Sequence, residues 1–374
     1  MPPLVTQTAD RAFAPIAAEL PLHLIEGFFG RPWPWAVRES FQPFLKDAGF
    51  QSYIYAPKDD AFLRRQWEHP WPEDIRLRVG RVSDACQRAG MMFGIGLSPF
   101  EIYRRFGVTE QAVLRRKLDE LNSVGIDLLC VLFDDMRGDM PGLAQTQVAV
   151  AHFVAEHCRA QRIVMCPTYY STDPVLESVF GQRPANYWED IGSQLDPAID
   201  LFWTGPQVCS THYDAQHLSQ VAQMLGRRPF LWDNYPVNDG SATSRFLHLR
   251  AFSGRQALLD GANGHAVNPM NQPWLSRIPL RSLSASYRQP DYDPQQAFEQ
   301  ACISECGSAM GAALIQDVIA LQDNGLDGMS EQDRIKLRRR YEGFLQAEQS
   351  APFARELLDW LAGDYAFDPA CLTG

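Results

Sequence analysis

Two aspartates close an apolar run in the stretch Cys130-Val-Leu-Phe-Asp-Asp-Met136. Carboxyls this close repel when both are ionised, so their pKa values move apart. One tends to keep a proton near neutral pH while the other stays charged. Such a pair supplies an acid and a charged orienter. Successive side chains of a strand point to opposite faces, but where the chain turns at the strand's end both can reach one mouth. Taken alone, Asp134-Asp135 reads equally as a loop or a helix cap, so its chemistry depends on what gathers around it.

Polar residues also close the other apolar runs. Glu26 and Gly27 end the first, and Lys58, Asp59 and Asp60 the second. Thr168, Tyr169 and Tyr170 end the fifth, Trp203 and Thr204 the sixth. Trp232, Asp233 and Asn234 end the seventh, with Asn238 and Asp239 just beyond, and Asn268 and Asn271 belong to the last. Histidine is missing from this set and no glycine-rich phosphate loop occurs, which disfavours a metal hydrolase or a nucleotide site. Neither metal nor cofactor is expected. A single tryptophan, tyrosine or lysine of this set would more often be packing or solvated surface; their joint placement points elsewhere. Aromatic platforms beside amides and acids suit a sugar, whose apolar face stacks on indole while its hydroxyls need donors and acceptors. An ordinary retaining glycosidase holds its two carboxylates roughly 5 Å apart so that one is the nucleophile. Neighbours on one strand fit that poorly. If the sugar's own 2-acetamido oxygen attacks, no enzyme nucleophile is needed and the difficulty disappears.

These residues need a scaffold that brings strand ends together. Apolar runs at 22–30, 52–57, 91–99, 127–135, 162–170, 199–205, 229–235 and 264–270 read as strands. Helical periodicity separates them, over 37–49, 73–89, 109–124, 142–159, 185–195, 214–225, 244–260 and 274–288. Strands this continuously apolar belong to a parallel sheet covered by helices. Eight such units predict an α/β fold, a TIM (β/α)8 barrel over 21–292 with its catalytic face at the C-terminal strand ends. An open doubly wound sheet is the alternative. Residues 1–20 form an N-terminal extension, and 293–374 a helical C-terminal appendage behind a proline-rich hinge at 287–294.

Seven segments in order carry a family resemblance: "EGFFGRPW" (26–33), "YAPKDD" (55–60), "LFDDM" (132–136), "CPTYY" (166–170), "FWTGPQV" (202–208), "WDNYPVND" (232–239) and "NP" (268–269). Together they resemble glycoside hydrolase family 84, the O-GlcNAcases and related bacterial β-N-acetylglucosaminidases, some labelled hyaluronidases. The resemblance implies a retaining exo-β-N-acetylglucosaminidase working through an oxazoline. It implies that Asp134 orients the acetamido N–H and that Asp135 is the general acid, then the base. Tyr170 is similar to the tyrosine that hydrogen-bonds near the acetamido group; Trp232 would wall the acetyl pocket, and Asn234 would help hold that group. Gly27 through its backbone, Lys58, Asp239 and Asn268 match positions that bind sugar hydroxyls. Phe29 and Tyr169 depart from the family pattern, where a tyrosine and an acid occur; neither belongs to the residues assigned to the chemistry, and both bear on the pocket rim.

A net charge of −11 over 374 residues argues against a nucleic-acid partner. It also weighs against a polyanion such as hyaluronan and favours an uncharged GlcNAc-containing glycan or a glycosylated peptide. No apolar stretch approaches the roughly 20 residues that span a bilayer, and the first residues lack the pattern of a signal peptide. The eight cysteines show no metal spacing, and Cys130, Cys166 and Cys209 lie in apolar runs, as reduced thiols of a cytoplasmic protein do. The alternatives are a non-catalytic GlcNAc-binding module and an enzyme of the same fold acting on hyaluronan or a bacterial surface glycan. A homodimer through the C-terminal helices, the role of those helices and the identity of the aglycone stay open.

Overall fold

The computed structural model describes residues 20–365 and 367–373; most of the expected N-terminal extension lies outside the described residues. Eight strands run in chain order: β1 (Leu22–Glu26), β2 (Ser52–Tyr55), β3 (Met92–Leu97), β4 (Leu128–Leu132), β5 (Arg162–Cys166), β6 (Asp200–Trp203), β7 (Phe230–Asp233) and β8 (Gly264–Val267). Each pairs in parallel with the next, and β8 closes on β1 through Leu22–His265, His23–Ala266 and Leu24–Val267. This is the TIM barrel, not the open sheet. Every residue of β1, β2, β4, β6, β7 and β8 is buried. That explains the unbroken apolar runs: a parallel sheet packs side chains inside the barrel and helices outside it.

The ladders end earlier than the apolar runs do. β1 stops at Glu26, β4 at Leu132 and β7 at Asp233. Beyond these points the chain turns, and the turns carry the polar residues singled out above.

One expected helix is absent. Residues 244–257 are irregular, and only Leu258–Gly261 forms a helical turn. Leu247, Leu249 and Ala251 are buried in a second apolar core, an alternation with the period of extended chain in place of the helical spacing expected over 244–260. The Leu247 N–H donates to the Leu321 carbonyl at 3.1 Å, and those of Leu249 and Arg250 donate to the Gln322 side chain at 2.8 Å. These partners replace helical hydrogen bonds.

The second core is built from the helices Pro294–Cys306, Ser308–Val318 and Ala351–Ala362, joined by Leu275 and Ile278 of the helix Pro273–Arg288. That helix also sends Leu280 and Leu283 into the barrel core. The helical region therefore shares an element with the barrel. The last turn of Ala351–Ala362 ends on Gly363 in the left-handed conformation (φ 87°), a usual helix stop. Residues 364, 365 and 367–373 are not helical.

Candidate active site

Asp134 and Asp135 hang from the turn that follows β4. The Phe133 N–H donates to the Cys166 carbonyl at 2.9 Å, extending the β4–β5 ladder by one bond. The Phe133 carbonyl accepts from the Thr168 hydroxyl at 2.8 Å, and that hydroxyl accepts from Gln147 at 2.8 Å. The chain then breaks out of the strand: Asp135 has φ 56°, left-handed and sparsely populated for a residue with a side chain. A fixed stem followed by this reversal brings both carboxylates to the same mouth.

Lys58, from the turn after β2, bridges the pair. Its ammonium bonds the Asp134 Oδ2 and lies 3.5 Å from the Asp135 Oδ2, with its side chain 4% exposed. Burial alone would lower the Lys58 pKa; the two aspartates outweigh it and raise it. Burial pushes the Asp135 carboxyl above the usual carboxylate range, Lys58 opposes, and the Asp134 charge adds to the rise. These causes together shift Asp135 toward its protonated form. The Asp134 Oδ1 is buried and has no hydrogen-bond partner among the described residues. A buried acceptor left open is costly unless something donates to it.

Trp232 forms the opposite wall. Its ring meets Phe202 edge-on at 5.2 Å, and its Nε1 donates to the Asn234 Oδ1 at 2.8 Å. The Asn268 Nδ2 donates to the same oxygen at 3.1 Å, and the Asn234 Nδ2 donates to the Val208 carbonyl at 2.9 Å. A Cβ on Gly27 would lie 2.5 Å from the Trp232 Cζ2, so only glycine admits the indole. The Gly27 N–H is already used, donating to Ile25 and, at 3.2 Å, to the Asn268 Oδ1. Any backbone contact of Gly27 with a ligand falls to its carbonyl. Asp239 accepts from the Phe29 N–H at 2.8 Å, and burial pushes its carboxyl up to about 6.

All nine residues singled out for chemistry and binding line one hollow: Gly27, Lys58, Asp134, Asp135, Tyr170, Trp232, Asn234, Asp239 and Asn268. Other polar residues at strand ends do structural work. Glu26 holds the buried Arg38 and the Tyr53 hydroxyl, Asp60 accepts from Tyr55 and Trp71, and Asp233 holds Arg255 and His265. Asn271 secures the Phe29 and Arg31 carbonyls. Of the two departures from the family pattern, Phe29 lines the hollow, whereas the Tyr169 hydroxyl turns away to the Gly181 carbonyl at 2.6 Å. Sequence reasoning missed Val208, Cys209 and Val237 on the wall, and also Cys371 and Thr373 of the C-terminal segment. The first three are apolar or weakly polar and give no chemical signal. The last two lie more than a hundred residues beyond the barrel motifs. Among the described residues there is no cluster of metal ligands and no helix long and apolar enough to cross a membrane.

A family model described as beta-N-acetylglucosaminidase matches residues 23–316. The chain is 27% identical over 275 residues, 71% of its length, to a protein O-GlcNAcase of Rattus norvegicus, and 26% identical over the same length to that of Mus musculus. It spans 30% of the length of each of these relatives. Its fold superimposes on a mutant of the Thermobaculum terrenum O-GlcNAc hydrolase with a TM-score of 0.72 at 25% identity, covering 91% of this chain and 81% of that one. On CpGH84B the TM-score is 0.73 at 20% identity, over 91% of this chain and 66% of that one, a likeness that concerns the fold alone.

Proposed function

The chain belongs to the β-N-acetylglucosaminidases of glycoside hydrolase family 84, and from that membership we propose that it is a retaining exo-β-N-acetylglucosaminidase using its substrate's acetamido group as nucleophile. The observation that carries this reading is the open, buried Oδ1 of Asp134 beside the Asp135 carboxyl, which burial raises above the usual carboxylate range. An acetamido N–H donating to Asp134 would turn its carbonyl oxygen toward the anomeric carbon. That oxygen attacks as the glycosidic C–O bond breaks, and Asp135 delivers its proton to the leaving oxygen. The product of this step is an oxazolinium ion whose N–H pairs with the Asp134 carboxylate, or the neutral oxazoline once Asp134 has taken that proton, which returns to nitrogen when the ring opens. Asp135, now a carboxylate, takes a proton from water, which opens the oxazoline from the other face and restores the β configuration.

The remaining walls suit the roles assigned to them. Trp232 offers an apolar face for the acetyl methyl, with Asn234 fixed beside it. Lys58 keeps the acid pair from carrying an unbalanced double charge. Tyr170, Asp239, Asn268 and the Gly27 carbonyl offer hydrogen-bonding groups to the acetamido and the ring hydroxyls. The substrate class is a terminal β-linked GlcNAc on an uncharged glycan or a peptide, consistent with the acidic chain. A cytoplasmic setting accords with cysteines that form no disulfide among the described residues.

Asp135→Asn tests the acid. On a β-N-acetylglucosaminide with a poor alkyl leaving group kcat should fall by roughly 10²–10⁴, while a dinitrophenyl leaving group, which needs no proton, should be largely spared. Equal rates of wild type and variant on both substrates would refute the assignment, and so would robust cleavage of a β-glucoside lacking the amide.

A further inference from the structure

The chain's own C-terminal segment enters the sugar hollow. Past the helix stop at Gly363 it reaches the barrel mouth, where Cys371 and Thr373 line the same space as Asp135, Tyr170 and Asn234. Its tip is organised. In Asp368-Pro-Ala-Cys371 the Cys371 N–H donates to the Asp368 carbonyl at 2.9 Å, and the Ala370 N–H donates to the Asp368 carboxylate at 2.8 Å. Aspartate followed by proline favours this turn. Beyond it Cys371 and Thr373 are half-buried, and Leu372 between them is 55% exposed. Thr373 lies close enough to the Tyr170 hydroxyl to oppose the rise that burial imposes on its pKa. Tyr170 is one of the groups needed for an acetamido ligand, and here a residue of the same chain stands beside it.

Cys371 and Thr373 stand in the hollow shared by all nine residues assigned to the sugar, so a sugar ring with its acetamido arm and this segment compete for the same groups. Beyond Asp368, residues 369–373 carry no charge, and Pro369 and Leu372 are exposed.

We propose that residues 368–373 are an autoinhibitory plug that competes with substrate for the sugar pocket and must leave before the glycoside enters. The proposal rests on the sugar-pocket reading above. A seated plug divides the binding-competent population and raises the apparent Kd and KM by the same factor, while kcat at saturation is untouched.

The test compares the full chain with a variant lacking 368–374 and with full-length Thr373→Trp, whose indole is far larger than the threonine it replaces. Two readouts are taken: binding of a GlcNAc-thiazoline by quenching of tryptophan fluorescence, and steady-state hydrolysis of an aryl β-N-acetylglucosaminide. Both variants should bind the thiazoline at least threefold tighter than the full chain and show KM lowered by a similar factor with kcat unchanged. The synthetic peptide Asp-Pro-Ala-Cys-Leu-Thr should inhibit the deletion variant competitively. Unchanged or weaker thiazoline binding after deletion would overturn the plug, because the segment would then be a bystander or a permanent wall. Tight binding without hydrolysis would leave the plug standing and defeat the catalytic reading. Failure of every form to bind the thiazoline would defeat the sugar pocket and the plug with it.

Discussion

A missing carbon at Gly27 lets Trp232 lie where the pocket needs it. The Cβ of an alanine there would sit 2.5 Å from Cζ2 and 2.7 Å from Cη2 of the indole, so the ring must move. Moving it breaks the 2.8 Å bond from Nε1 to Asn234, and with it the support Asn234 shares with Asn268. Gly27→Ala should therefore lower kcat/KM by on the order of 10²-fold, the usual result of misplacing a binding wall by about 1 Å. Overpacking should also cost about 1–3 kcal/mol of stability in urea unfolding. Adding Trp232→Phe should return much of the stability and little of the activity, since the smaller ring relieves the clash without restoring the indole N–H. A Gly27→Ala enzyme with normal kcat/KM would mean that Trp232 does not shape the pocket. The sequence marked both residues, but through motif position. It gave no sign that the Gly27 N–H is consumed inside the protein or that the two residues touch.

At the scale of elements, the sequence was most readable where burial is continuous. The eight strands stand out because a parallel barrel covers both faces of each one, leaving apolar runs with no competing interpretation. The stretch after β7 is ambiguous for the opposite reason. Leu247, Leu249 and Ala251 are apolar at alternate positions in a segment rich in polar residues, and short patterns of this kind do not separate a two-residue period from a helical one. What fixes them is distant: carbonyl and amide partners at Leu321 and Gln322 that no local pattern announces. The extended reading makes a mutational prediction. Leu247→Ala and Leu249→Ala should each cost about 2–5 kcal/mol. Arg250→Ala should cost under about 1 kcal/mol, because its partner Asp323 is a solvent-exposed ion pair. A helix would instead group 247 with 250 and 251 on one face. Chemical denaturation of the three variants distinguishes the two periodicities, and comparable losses at 247 and 250 with none at 249 would restore the helix.

For the whole molecule, the helix Pro273–Arg288 ties the barrel to the helical region, and Glu356 is the knot. Its carboxyl accepts from the Trp274 and Leu275 N–H groups at 3.1 and 2.9 Å, filling two of the unpaired donors at that helix's N-terminus. Burial dominates and pushes the Glu356 carboxyl up to about 8, against the pull of the two N–H groups and Arg31. The sign of the consequence follows. The folded pKa lies above the unfolded value near 4.5, so the unfolded chain gives up this proton first and the folded state is penalised as pH climbs. The stability contribution is whole below about pH 4.5, declines above it and is spent once pH passes about 8. The loss over that window should be on the order of 3–5 kcal/mol. Glu356→Gln keeps an acceptor for both N–H groups and cannot ionise, so its stability should stay flatter between pH 5 and 8 and exceed that of the wild type at the upper end. Because one helix serves both cores, the loss should appear as a lower Tm of a single transition and not as early melting of the helical region. Two resolved transitions, or parallel pH profiles for wild type and Glu356→Gln, would show that the two cores are held together by something other than this carboxyl.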